Sequence, residues 1–113
     1  MRSKIVALSK NEEFKALLKK KRISNKYVTI FFGKLPNKDS KKLNIAFSVK
    51  KKIANAVKRN KVKRRLRQIF DDAAKKSSIK FEKSYLVISH MAMLNNDFKS
   101  IKETIFQDLK RIV

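Results

Sequence analysis

The chain has no cysteine and no tryptophan, and only one histidine, one glycine and one proline among its 113 residues. Without cysteine it has neither a disulfide framework nor a thiolate metal site. A single glycine cannot build a glycine-rich phosphate loop or the G-x-S-x-G turn of a hydrolase. His90 has no second histidine with which to form a zinc ligand set, so a structural role is favoured for it.

Acidic residues are also scarce, at 9 Asp and Glu against 31 Lys and Arg. Asp71 and Asp72 are adjacent, and on a helix two successive side chains diverge by about 100°. They would bind Mg²⁺ only together with outside ligands such as RNA phosphates. A protein-only ribonuclease needs paired acid and base groups or clustered carboxylates. We therefore predict no catalytic residue and no metal ligand within this chain.

Long hydrophobic runs are missing as well. No window approaches the length of a membrane span, and the first apolar run is too short for a signal peptide. The length predicts one domain, residues 1–113, and a hydrophobic fraction of 42% is enough to form a core. We expect a cytoplasmic protein with no membrane partner.

What the chain has in excess is positive charge, with a formal net charge of +22. A polyanion would offset this self-repulsion, so nucleic acid is the leading partner and an anionic membrane its rival. Biased codon usage alone could explain many lysines, but not the arginines. Four of the seven arginines lie between Arg59 and Arg67. Arginine suits bidentate phosphate contacts, so this clustering indicates a placed anion-binding surface.

Hydrophobic periodicity predicts helices and strands packed as an α/β sandwich. An extra strand within 22–33 is possible, and we expect the second strand to run antiparallel to the first. The elements are a helix at 10–20, strands at 27–33 and 43–50, a long helix at 53–75, a strand at 84–91 and a last helix. Candidate helix caps are Ser9 (with Glu12) or Asn11, and Asn95, Asn96 or Asp97.

The long helix is apolar on one side and basic on the other. On a helical wheel, four apolar residues lie within about 80° of Val62: Leu66, Ile69, Phe70 and Ala73. The opposite arc carries cations and amides: Asn60, Lys61, Lys63, Arg64, Arg67 and Gln68. We interpret one side as docking on the sheet and the other as binding phosphates.

Like charges at i, i+4 and i+8 destabilise an isolated helix. Arg59, Lys63 and Arg67 have this spacing and cover about 12 Å of helix axis. Two alternatives to phosphate binding exist for this helix: its basic side is merely solvated, or the helix is amphipathic and binds a membrane or calmodulin. Membrane binding is disfavoured because the apolar stripe is needed to cover the sheet. Lys51 and Lys52, just upstream, extend the basic patch.

The segment FSVKKKIANAVKRNKVKRRLRQIF resembles the signature of the bacterial ribonuclease P protein subunit, and the resemblance covers roughly residues 5 to 112. Two positions depart from the family pattern: Ala54 stands where glycine is frequent, and the usual glycine after the first helix is absent. The matching positions are Ser48, Val49, Lys51, Lys52, Ala56, Val57, Arg59, Asn60, Lys63, Arg64 and Arg67.

This resemblance implies an α+β two-layer sandwich of order αβββαβα, with a four-stranded mixed sheet and a left-handed βαβ crossover. It implies an accessory protein of a ribonucleoprotein endoribonuclease, whose catalytic RNA removes the 5′ leader of precursor tRNA and binds most of the Mg²⁺. Catalytic RNA and precursor tRNA are the expected partners, and no obligate protein partner is expected. By position, Phe14, Phe31 and Phe47 are candidates for the leader-binding cleft, the last two depending on strand register.

Two other functions stay open from the sequence. A structural RNA-binding protein of the ribosomal type would share this composition but have no processing role. A non-specific DNA-binding protein would bind duplex DNA and precursor tRNA equally well.

Overall fold

A computed structural model of the chain describes residues 5–8, 10–36, 38, 41–52, 54–76, 79–94 and 97–112. The helices are α1 (Asn11–Leu18), α2 (Ala56–Lys75) and α3 (Phe98–Leu109), and a 3₁₀ turn spans Met91–Leu94. The strands are β1 (Ile5–Ala7), β2 (Lys21–Ser24), β3 (Val28–Gly33), β4 (Leu43–Ser48) and β5 (Ser84–Ser89).

The five strands form one mixed sheet in the order β1-β4-β5-β3-β2. β4 is parallel to both β1 and β5, whereas β3 is antiparallel to both β5 and β2. The predicted mixed fold is confirmed, but the sheet has five strands rather than four. β2 accounts for the extra strand considered within 22–33, and β1 was not predicted.

β3 and β4 follow one another along the chain but do not pair with each other. β3 and β4 run in opposite directions, as expected, but β5 lies between them and is hydrogen-bonded to both. The parallel neighbours β4 and β5 are connected through α2, so this segment is the βαβ crossover. Its left hand stays a prediction.

Helices cover both faces of the sheet. The fold therefore has three layers rather than the predicted two, and α1 forms the additional layer. On one face, Ile30, Ile45 and Val87 pack with residues of α2 and α3. On the other, Phe31, Ala46 and Leu86 pack with Leu17 of α1. The sequence signal for this arrangement is the near-continuous apolar run of β3 and β5, which is typical of strands buried on both faces.

The side chains of Asn55 and Asp97 cap α2 and α3. The Asn55 side chain accepts from the Lys58 N–H at 2.9 Å and begins α2. Asp97 accepts from the Ser100 N–H at 3.3 Å and begins α3, and the alternative caps Asn95 and Asn96 lie outside the described residues.

The N-cap of α1 is Lys10, so the alternative cap Asn11 is instead the first residue of the helix. Glu13 reaches back to the Lys10 N–H at 3.4 Å, so it takes the place predicted for Glu12. The predicted cap Ser9 lies outside the described residues. No helix within the described part of the chain is long and apolar enough to cross a bilayer.

Candidate nucleic-acid interface

Helix α2 has the two faces that its sequence predicts. Val62, Leu66, Ile69, Phe70 and Ala73 are each at most 2% exposed and pack on the sheet. On the opposite side six polar side chains are exposed. We call these the basic face: Asn60, Lys61, Lys63, Arg64, Arg67 and Gln68. The helix is therefore docked through one stripe and offers the other to solvent, so the amphipathic prediction is confirmed.

Arg59 differs from the other predicted cations because its side chain is half-buried. Its Nη1 donates to the backbone carbonyl oxygen of Ala54 at 2.9 Å, across the turn that leads into α2. The guanidinium keeps further N–H donors, but its position is tied to the protein. Of the three residues spaced i, i+4 and i+8, only Lys63 and Arg67 are exposed.

An open groove of about 550 Å³ lies beside the basic face, and we call it the α1–α2 groove. Its apolar wall combines residues of β1, α1 and β4 with Leu8, and its polar rim comes from α2. The three-residue strand β1 is the sheet edge here, and this short edge lets groups from both faces of the sheet reach one groove. The lining residues are Ile5, Ala7, Leu8, Phe14, Ile45, Ala46, Phe47, Asn60, Lys63, Arg64 and Arg67.

A second groove of about 290 Å³ continues along α1 and shares Phe14, Ala46 and Phe47 with the first. We call it the α1–sheet groove. Its remaining lining residues are Leu18, Ser48, Leu86 and Ile88. The two grooves together form an apolar channel that passes from the α1 face of the sheet to the cations of α2.

The three aromatic candidates occupy different environments. Phe14 is half-buried and lines both grooves. Phe31 is 7% exposed, packs in the core under α1 and lines neither groove. Phe47 packs against Phe70 of α2, with ring centroids 5.7 Å apart, and still lines both grooves with its exposed part.

Sequence reasoning missed the small and aliphatic lining residues on the α1 face of the sheet. In β4 the residue on that face is Ala46, because Phe47 points to the α2 face. In β5 the groove is lined by Leu86 and Ile88, which follow the two-residue period of a strand. This period shows which residues share a face, but the sequence does not say which face α1 covers.

The remaining candidates lie outside the grooves. Lys51 and Lys52 are exposed in the turn after β4, close along the chain to the start of α2. The His90 ring Nε2 lies 2.8 Å from the Thr29 hydroxyl, and the His90 N–H donates to the Tyr27 carbonyl at 2.8 Å. His90 thus joins β5 to β3, in the structural role that the sequence favoured.

One residue of the acidic pair of α2, Asp72, makes a structural contact. Asp72 accepts a hydrogen bond from the Lys102 Nζ at 2.6 Å, which links α2 to α3. This hydrogen bond, with the charges of Lys102, Lys76 and Lys75, holds the pKa of the Asp72 carboxyl below its usual value, against the opposing effect of burial. Asp71 is half-buried beside it.

Comparisons with known proteins identify the family to which the chain belongs. The sequence model of the family described as Ribonuclease P matches residues 3–113. The ribonuclease P protein component of Bacillus pumilus is 38% identical over 99 residues, which cover 87% of this chain and 80% of that protein. The one from Carboxydothermus hydrogenoformans is 35% identical over 107 residues, which cover 91% and 87%.

Solved structures show the same fold. The RNase P protein from Thermotoga maritima superposes with a TM-score of 0.80 and 27% identity, over 96% of this chain and 98% of that one. The RNase P protein of Staphylococcus aureus gives a TM-score of 0.76 and 25% identity, over 93% and 92%. The chain therefore belongs to the ribonuclease P protein family, as a protein component of ribonuclease P.

Proposed function

We propose that this ribonuclease P protein component binds the single-stranded 5′ leader of precursor tRNA in the channel beside α1, while its basic face contacts the catalytic RNA. Cleavage of the leader is then carried out by the RNA, in the cytoplasm, and the protein positions the substrate. The observation that carries the proposal is the α1–α2 groove, in which an apolar wall and a row of α2 cations face the same space.

Single-stranded RNA offers two chemistries to such a groove. Its unstacked bases bind aromatic and apolar side chains, and its phosphates pair with cations. Phe14 is the aromatic side chain on the wall, and Arg64 and Arg67 are the guanidinium groups on the rim. An arrangement of this kind holds a strand with little dependence on base identity, as a protein that serves many precursor tRNAs requires.

Among the described residues, no group of three or more acidic or histidine side chains could hold Mg²⁺. Mg²⁺ requires oxygen ligands in octahedral geometry, and the Asp72 carboxylate is already bonded to Lys102. Mg²⁺ bound by RNA phosphates supplies the charge stabilisation for cleavage, and we assign no ligand of it to this protein. The contribution of the basic face is to neutralise phosphates where substrate and catalytic RNA meet, which reduces the concentration of Mg²⁺ that the complex needs.

Cleavage of precursor tRNA by the catalytic RNA, with and without the protein, over a range of Mg²⁺ concentrations tests this function. We expect strong stimulation at low Mg²⁺ that fades at high Mg²⁺. The double variant Arg64→Ala/Arg67→Ala should stimulate less than the wild type. Cleavage at low Mg²⁺ that is no faster with the wild-type protein than with RNA alone would refute the proposal.

A further inference from the structure

A second group of cations lies away from α2, where β2 and β5 begin and β3 ends. Four lysines surround an open groove of about 390 Å³, and we call it the lysine groove: Lys20, Lys21, Lys34 and Lys83. Phe32 and Gly33 form its floor. The pairing of Gly33 with Ser84 places the groove at the end of the sheet where β5 begins.

The lysine groove is separated from the N-terminal half of α2 by the length of the sheet. The 3₁₀ turn that follows β5 lines a small hollow with Lys58, Lys61 and Arg65, so this half of α2 lies near the far end of β5. The six residues of β5 span about 17 Å at a rise of about 3.3 Å per residue. The two cationic regions are therefore distinct surfaces.

Side-chain packing holds two of the four lysines over the groove. The Lys83 Nζ lies 5.3 Å from the centroid of the Phe32 ring, a cation–π distance. The aliphatic part of the Lys20 side chain lies against Gly33. A Cβ at position 33 would collide with that side chain. Because these contacts keep the positive charges of Lys20 and Lys83 above an apolar floor, these two cations are partly ordered before any ligand arrives.

The lysine groove carries a net positive charge among its described neighbours. Within the described ranges, none of the four groove lysines forms an ion pair with a carboxylate. Burial, followed by the charge of Lys80 and, more weakly, those of Lys21 and Lys34, holds the pKa of the Lys83 ammonium below its ordinary value, and only Glu82 opposes this. Like charges held this close destabilise the free protein, so an anion that enters the groove relieves their repulsion.

We propose that the lysine groove binds an RNA phosphate backbone and is a second contact surface of this protein, separate from the leader channel and from α2. This inference rests on the proposed function, because it assumes that RNA is the polyanion present. Lysines act on phosphates as point charges, so the contact carries no base preference. The phosphates can come from the catalytic RNA or from the precursor tRNA.

The test compares two double variants that remove the same charge. Lys21→Gln/Lys34→Gln changes two exposed lysines of the groove. The matched control is Lys26→Gln/Lys110→Gln, which changes two exposed lysines at the other end of the sheet. Lys26 lies there because it precedes Val28, which pairs with Ser89 at the end of β5. Lys110 lies there because it follows Asp108, which accepts a 2.6 Å hydrogen bond from Asn25.

Affinity is measured against salt concentration, for the catalytic RNA alone and for precursor tRNA alone. The quantity compared is the slope of log affinity against log salt concentration. If both groove lysines contact phosphates, the magnitude of this slope should decrease by about 1.4 to 1.8, at about 0.7 to 0.9 per contact. The fall should occur with whichever RNA occupies the groove, and the control pair should leave the slope nearly unchanged. Equal slopes for the two double variants with both RNAs would overturn the inference.

The double variant Arg64→Ala/Arg67→Ala separates this inference from the proposed function. If it loses slope while the groove variant does not, the lysine groove is no RNA site and the proposed function stands. If the groove variant alone loses slope, the groove binds RNA and the proposed role of α2 fails. Thermal unfolding verifies that the variants are folded, and removal of the repelling charges should leave the melting temperature of Lys21→Gln/Lys34→Gln equal to the wild type or higher.

Discussion

Arg59 and Ala54 are joined by a 2.9 Å hydrogen bond in which the guanidinium Nη1 donates to the backbone carbonyl oxygen. The bond spans the turn between β4 and α2, at the position where glycine is frequent in the family that the sequence resembles. It gives the first arginine of the helix a structural task in addition to any contact with RNA. Arg59 and Arg67 should therefore respond differently to substitution.

Arg59→Ala should lower the free energy of unfolding by about 1 to 2 kcal/mol, because it removes a charge-assisted hydrogen bond from a half-buried site. Arg67→Ala should leave the free energy of unfolding within about 0.5 kcal/mol of the wild type, because its side chain is exposed. Urea denaturation measures both. An equal stability for the two variants would mean that the Arg59 bond contributes nothing.

Leu17 anchors α1 on the sheet, fully buried against Phe31, Ala46 and Leu86. Leu17→Ala should lower the free energy of unfolding by about 2 to 5 kcal/mol, as expected for a buried leucine that leaves a cavity. The neighbouring Leu18 is 51% exposed, so Leu18→Ala is a matched control with little expected effect on stability. Similar losses for the two variants would contradict the packing of α1 described above.

The ion pair between Asp72 and Lys102 makes a pH-dependent contribution to stability. The pKa of Asp72 is lowered in the folded protein by the hydrogen bond from Lys102. The contribution is therefore present above the ordinary pKa of 3.8 and lost as the pH falls through the lower folded value. Because both side chains are partly exposed, its size should be within about 1 kcal/mol.

Asp72→Asn should thus destabilise the protein at pH 7 and have a shrinking effect as the pH is lowered below 3.8. Glu103→Gln, an exposed acid on α3, is the control. Stability measured from pH 2.5 to 7 checks the sign. A destabilisation by Asp72→Asn that grows as the pH falls would show that the sign is wrong.

The basic face should determine how binding depends on salt. With about six neutralised phosphates, the log–log slope for RNA binding should be about −4 to −5. Arg64→Ala and Arg67→Ala should each reduce its magnitude by about 0.7 to 0.9. Gln68→Ala, on the same face but uncharged, should leave the slope unchanged. If Arg64→Ala and Arg67→Ala leave the slope as unchanged as Gln68→Ala does, α2 does not contact phosphates.

The local pattern of the sequence is sufficient to predict α2 and its two faces. The spacing of Val62, Leu66 and Ile69 specifies the buried stripe, and a helical wheel then places the cations. The central strands were also predictable, because runs such as SYLVIS are both β-branched and aromatic. These features depend only on residues within a few positions of one another.

The features that were missed depend on contacts between distant parts of the chain. β1 has three residues and is held by parallel pairing with β4, with Ile5 opposite Leu43, which no local pattern reveals. The insertion of β5 between β3 and β4 is likewise a non-local choice.

Strand register limits the site in the same way. Phe31 faces α1, whereas Phe47 faces α2. Both were equal candidates in the sequence, because the face of a strand that a helix covers is decided by tertiary packing.

The most direct test of the central claim is the preference of the holoenzyme for leader-bearing over leaderless tRNA. The wild-type protein should bind the leader-bearing form more tightly. Phe14→Ala should reduce this preference at least about fivefold, because stacking of a base on an aromatic ring contributes about 1 to 3 kcal/mol. Phe106→Ala, on the distant helix α3, should keep the wild-type preference. A folded Phe14→Ala variant with the full wild-type preference for the leader would contradict the account.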